Sequence, residues 1–185
     1  MSSIKRFCSI LRKRSAEHKE AINKVQGLHG IVVSILRQEL DSMVRAIYLL
    51  NISEQDELER LVKQTLDGEV WTVLTAKGKV AKVTDRDMVE LSNELNGWTR
   101  SVYKFGCSFI HLSNYHDYSS ENPFDQLTED DQASILEHMR KYHGGPMSDS
   151  PSFTELAYYF PSVFKKISGN LECYIKELES KELQN

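Results

Sequence analysis

Residues 36–50, LRQELDSMVRAIYLL, repeat apolar side chains at steps of three and four (Leu36, Leu40, Met43, Val44, Ile47, Leu50) and set Arg37, Asp41 and Arg45 one turn apart beside them. Side chains at those steps superimpose on a helix, so the stretch predicts a helix with a broad apolar face and an ion-pair ladder along its edge. Ile31, Val32 and Ile35 extend the pattern backwards, and a helical rhythm reaches to about Ile4. Gly27 and Gly30 interrupt it, which leaves two helices and one kinked helix both open. The ladder is expected to pair across the helix surface. If its face instead packs against the helix carrying His111, the arginines become partly buried and functional.

Downstream the rhythm continues in shorter pieces. Ser53, with Asp56 behind it, is expected to cap a helix through about Leu66 that turns Leu58, Leu61 and Val62 inward. Residues 70–83, VWTVLTAKGKVAKV, alternate β-branched and polar side chains around Lys77-Gly78 and read as a β-hairpin inserted between helices. Thr84 and Asp87 have the form of a helix cap, and Met88, Leu91, Leu95, Trp98, Val102 and Phe105 predict one long helix behind it. A Thr128/Asp131 cap opens a helix over Ala133 to Tyr142, which Gly144-Gly145 ends. HGGPMSDSPS, residues 143–152, is a loop; Ser152 and Glu155 form a capping box, and Pro161 suits the first turn of a last helix from Ser162 to about Leu183. The expected architecture is one all-α domain over 1–185, a helical bundle with a small hairpin insertion.

The 185 residues suffice to bury roughly 70% of the unfolded surface, and 40% apolar with 27% charged residues is an ordinary globular mixture. Cys8, Cys107 and Cys173 are odd in number and far apart, which argues against a disulfide framework and favours a reducing, cytoplasmic setting. No stretch approaches the roughly 20 apolar residues of a membrane span, and the apolar run from Phe7 to Leu11 is short for a signal peptide. The net charge of −4 excludes a basic nucleic-acid binder overall, yet residues 1–24 carry +5, leaving −9 for the remainder. This basic N-terminal arm reads as a solvated helix face or as a surface for phosphate or an acidic partner. Tyr48, Trp71, Trp98 and Phe124 are candidates for an exposed partner surface.

The chemistry concentrates in FGCSFIHLSNYHDY, residues 105–118. As one continuous helix it sets Lys104, Cys107 or Ser108, His111 and Tyr115 on a polar stripe, with Phe105, Phe109, Leu112 and His116 on a neighbouring one turned toward packing. His111 then sits on the border between them. That position suits a general acid or base, and equally a buried histidine bonded to a backbone carbonyl. Cys107 and His111 have ligand spacing, with His116, Asp117 and His143 available, but no second tight pair exists, so no metal is expected. No P-loop, G-x-G-x-x-G, EF-hand or G-x-S-x-G pattern occurs, and no cofactor is expected.

LRQELDSMVRAIYLL followed by a long helix ending in SVYKFGCSFIHLSNYHDY resembles the HEPN superfamily, the higher eukaryote and prokaryote nucleotide-binding helical domains. The resemblance implies a helical bundle, a homodimer, and in many members a metal-independent endoribonuclease in prokaryotic defence or toxin–antitoxin systems. The family's signature is Arg-x(4-6)-His, with two protomers' motifs meeting at the interface. Histidine would move protons while arginine stabilises phosphate charge during attack by the RNA 2′-hydroxyl. Here Lys104 stands at the outer permitted spacing before His111, and the literal match is Arg12 with His18. The implied catalytic set is His111, Lys104 and His116, and the implied substrate-binding set is Arg37, Arg45, Tyr115 and Asp117, with RNA and an antitoxin-like protein as partners. The alternative is a non-enzymatic dimerisation or partner-binding module in which the same His and Arg residues form a buried polar network.

Overall fold

The structure, a computed structural model, describes residues 2–75 and 77–183, the side chain of residue 183 excepted. Its helices are α1 (Ser3–Lys24), α2 (His29–Leu50), α3 (Gln55–Leu66), α4 (Asp85–Asn96), α5 (Thr99–Ile110), α6 (Glu129–His143), α7 (Phe153–Ala157) and α8 (Phe160–Leu183). Between α3 and α4 lies an antiparallel hairpin of β1 (Thr72–Leu74) and β2 (Val80–Lys82), in register Thr72↔Lys82, Val73↔Ala81 and Leu74↔Val80. The fold is all-α with a small β insertion, as the periodicity predicts.

The stretch around residues 36–50 is the axis of the bundle. Helix α2 packs against α1, α4, α5 and α8. Leu40, Met43, Val44, Ala46 and Leu49 have no exposed surface, because neighbours cover this helix on several sides. The interruption before it resolves into two helices. Gly27 takes φ +87°, a left-handed turn that glycine enters without steric cost, and α2 folds back along α1.

Helix α1 carries the basic residues on the outside of an amphipathic element whose other face buries Ile4, Phe7, Cys8, Leu11 and Ile22. The basic segment is therefore a helix of the bundle. Arg12 forks onto α8, donating from Nη1 to Glu179 Oε1 at 2.6 Å and from Nε to Glu172 Oε2 at 3.0 Å. His18 turns to α2, its Nδ1 2.7 Å from Oε2 of the fully buried Glu39, whose other oxygen accepts from Ser15. The Arg12/His18 motif thus pins α1 to two different helices.

Several expectations are corrected. Helix α3 starts at Gln55 behind Glu54 with no side-chain cap, so Ser53 does not fill that role. The long helix expected from Thr84 onward is two: Thr84 and Asp87 do form a capping box, but Gly97 at φ +73° ends α4, and α5 begins two residues later. Its apolar spacing runs through the break because Trp98 fills the corner at 5% exposure, whereas Leu95 points outward at 63%. Trp71 and Phe124 are also buried, and Tyr48 is half-buried against the Trp71 ring, so these four aromatics do not form an exposed surface. Trp71 anchors the hairpin by donating from Nε1 to Thr65 Oγ1 at 2.7 Å.

The remaining turns follow the chemistry of their residues. Thr128 caps α6 and Gly144, at φ +78°, ends it. Ser152 and Glu155 form their capping box at α7. Arg140 holds the intervening loop, donating to the carbonyls of Pro146 and Ser148, each at 2.9 Å, and to Asp149 Oδ1 at 2.7 Å.

Candidate functional site

The sequence-predicted residues fall into two groups. The first is the ladder on α2, which meets α4 at Asp85 and reaches α5, the helix that His111 caps, through Arg37 over Tyr103. Asp85, the first residue of α4, accepts from Arg37 Nη2 through Oδ2 and from Arg45 Nη2 through Oδ1, both at 3.1 Å. Its position in the first turn of α4 also sets the carboxylate at the positive end of that helix dipole. Arg45 Nε donates to Asp41 Oδ2 at 3.3 Å, and Arg14 Nη1 lies 3.5 Å from the same oxygen. Arg37 is 5% exposed, with its guanidinium carbon 4.2 Å from the centre of the Tyr103 ring. Three arginines and two aspartates from α1, α2 and α4 form one network, and each arginine is engaged by a carboxylate of the chain. Of these, Arg37 is buried, whereas Arg45 and Asp85 keep 27% and 41% of their side-chain surface exposed.

The second group is the stretch at residues 104–118, and here the continuous-helix reading is overturned. Helix α5 ends at Ile110. His111 is its C-cap with extended backbone (φ −95°, ψ 144°), its N–H bonded to Cys107 O at 3.3 Å. Ser113 then caps a 3₁₀ turn at Asn114–Asp117, donates to Ser108 O at 2.6 Å, and has its own carbonyl 3.2 Å from His116 Nδ1. Serine competes for helix backbone groups in this way, which explains why the helix stops. The polar stripe from Lys104 through His111 to Tyr115 is consequently not formed.

The positions confirm this. His111, His116 and Asp117 are exposed, and Leu112, expected to pack, is 95% exposed. Tyr115 folds inward, its ring 6.1 Å from Phe105 and 5.8 Å from Phe109. Lys104 reaches to α6, where its Nζ meets Asp131 Oδ1 at 3.1 Å. Phe105 and Phe109 are buried as expected, and Phe109 stacks on Phe153 of α7 at 5.2 Å and 9°. The fold therefore brings Arg37 and Arg45 together at α4, directs Lys104 to α6, and leaves His111 and His116 at the outer end of α5.

A site that the motif reading passed over lies on the other side of α5. Between α5, α6 and α8 is a cavity of about 80 Å³ walled by Val102, Phe105, Phe124, Met139 and Phe160, with Trp98 at one end. Its surface is almost wholly apolar. The polar side chains of its lining are Ser101 from α5, His138, Tyr142 and His143 from the second half of α6, and Lys166 from α8. Nδ1 of His138 is 2.6 Å from Ser134 O; a carbonyl only accepts, so this nitrogen carries the proton. The His138 ring stacks on Tyr142 at 6.1 Å and 17°. Lys166 Nζ lies 3.6 Å from the Tyr142 ring centre and 5.7 Å from that of Trp98. Burial, and after it the Lys166 charge, hold the His143 imidazole below its ordinary pKa.

The i,i+4 spacing of His138 with Tyr142 and of Met139 with His143 was available in the sequence as a marker for this face of α6. Lys166 was not, because only the tertiary fold brings α8 across it.

Among the described residues no group of three or more His, Cys, Asp or Glu side chains converges to hold a metal ion. Cys8, Cys107 and Cys173 are free thiols. No helix of the described residues is long and apolar enough to cross a membrane. Comparison with protein-family models, with curated proteins and with solved structures finds no match.

Proposed function

We propose that this chain is a non-catalytic helical binding module whose working site is the cavity between α5, α6 and α8, with the Arg37, Asp41, Arg45 and Asp85 network serving the fold. The observation that carries the reading is an almost wholly apolar, aromatic-walled cavity with a few polar side chains in its lining, the composition of a small-ligand site. The ladder supports it from the other side: Arg37 and Arg45 share Asp85, and Lys104 is held by Asp131. A cation already engaged by a carboxylate has part of its charge and of its donors committed before a phosphate arrives.

The test is direct binding. The two tryptophan indole N–H resonances in a ¹H–¹⁵N spectrum separate the cavity from the rest of the molecule, since Trp98 touches the cavity and Trp71 anchors the hairpin. Pentanol titrated into the protein is expected to shift Trp98 in a saturable way and leave Trp71 in place. No saturable shift would remove the reading.

The HEPN resemblance supplies the rival, a metal-independent endoribonuclease acting as a homodimer. The exposure of His111 is the feature that favours it. That reading expects RNA cleavage without divalent cation, lost in His111→Ala, from a protein that sediments as a dimer. Cleavage with that dependence would replace the present proposal.

A further inference from the structure

We propose that the cavity takes a small monocarboxylate, its short aliphatic body inside and its carboxylate on Lys166. This rests on the reading of the cavity as a binding site and goes on to name the class of ligand.

Charge is the first argument. Several cations carry carboxylate partners: Arg12 has Glu172 and Glu179, Lys104 has Asp131, and Arg140 has Asp149, whereas Lys141, 5.4 Å from the Tyr142 ring centre, has none among the described residues. Lys166 lines the cavity itself. Among the described residues it has aromatic neighbours, Tyr142 and Trp98, and no ion-pair partner. A positive charge beside apolar walls and short of a counter-ion is complementary to a single negative charge, and a charge-assisted hydrogen bond is the strongest contact available there.

The other charge classes fit less well. The faces of Trp98 and Tyr142 would suit a quaternary ammonium group, but the ammonium of Lys166 already occupies that position and repels a second cation. A neutral apolar molecule would fill the walls and leave Lys166 as it stands. His143, kept neutral by burial and by Lys166, also lines the cavity and offers a further N–H donor. The remaining polar side chains of the lining, Ser101, His138 and Tyr142, include no carboxylate.

Size sets the body. The cavity, at about 80 Å³, is roughly half the ~150 Å³ of an apolar cavity that admits benzene. A chain of a few carbons, reaching out at the open side, fits and a long-chain fatty acid does not.

Pentanoate and pentanol, which share their carbon chain, are the probes, and Trp98 is the reporter. Pentanoate is expected to bind roughly tenfold or more tightly than pentanol, the usual scale of a hydrogen bond to a charged group. In Lys166→Met, which keeps an apolar stem over the Tyr142 ring, the preference for pentanoate over pentanol is expected to vanish. Equal binding of the two probes to the unmodified protein would overturn the carboxylate assignment and leave the cavity reading intact. So would an undiminished preference in Lys166→Met. If neither probe shifts Trp98, the cavity reading itself fails.

Discussion

A β-carbon placed on Gly106 would stand 2.7 Å from the Cβ of Arg37, closer than packed side chains approach. Helices α2 and α5 therefore meet where one of them has no side chain, and the stem of Arg37 fills the space. Gly106→Ala should gain about 1 kcal/mol in helix propensity and lose about 1–3 kcal/mol to overpacking, for a net loss of stability. Urea unfolding reads the sign. A more stable variant would mean that the two helices part without cost.

The shared carboxylate gives a second prediction. Asp85→Ala strips a partner from both Arg37 and Arg45. Arg37 cannot regain water where it lies, so a loss of about 1–3 kcal/mol is expected, toward the lower end because the Asp85 side chain is itself 41% exposed. A change of under about 0.5 kcal/mol, the scale of ordinary surface substitutions, would show that Asp41 suffices alone.

Cys8 titrates against the fold. Burial, with Glu179 next, pushes its thiol from 9.0 up to about 12. A raised pKa means that the folded state holds the proton more firmly, so the associated stability is complete below pH 9 and is lost as pH rises toward 12. Cys8→Ala should flatten that alkaline limb in thermal melts. At neutral pH the exposed Cys173 should react with iodoacetamide well before Cys8 does.

His143 has the opposite sign. Burial and Lys166 depress its pKa below 6.5, so its contribution is present above pH 6.5 and is lost as pH falls through the folded value. His143→Phe should therefore lose less melting temperature than the unmodified protein between pH 7.5 and 5. Glu57 and Glu179, lowered by hydrogen bonds from Arg60 and Arg12, carry their own loss to more acidic pH, beginning near 4.5, so the two windows separate.

His111 stands exposed at the C-cap of α5. His111→Ala should leave stability within about 0.5 kcal/mol, as surface substitutions usually do, which makes it a clean variant for the RNA-cleavage assay. A large loss by thermal or urea unfolding would contradict the exposed placement.

What was legible in the sequence was the part written in short-range periodicity and capping chemistry. The apolar repeat of α2, the Thr84/Asp87 and Ser152/Glu155 boxes, the hairpin and the Gly144 stop all appear where residue types place them. The failures came where two local signals competed. At Gly97 the apolar spacing argued for continuity and the glycine for a turn, and the turn prevailed because Trp98 could fill the corner from either conformation. At His111 the helical phase was extended through Ser113, whose hydroxyl instead captured the backbone of Ser108. The cavity was illegible for a different reason. It is a space between α5, α6 and α8, and residues 98, 139 and 166 share no period that would announce a meeting.

The unequal burial of α2 and α6 has a consequence for how the molecule opens. Helix α2 buries fourteen residues, whereas α6 fully buries Leu136 and Met139 alone. Local unfolding free energy follows such differences, so amide exchange should be slowest along α2, approaching the global unfolding limit, and fast along α6. The wall of the cavity that yields first is then the one carrying His138, Tyr142 and His143. Brief detachment of α6 would then widen the way into the cavity, with the remaining helices serving as the fixed frame.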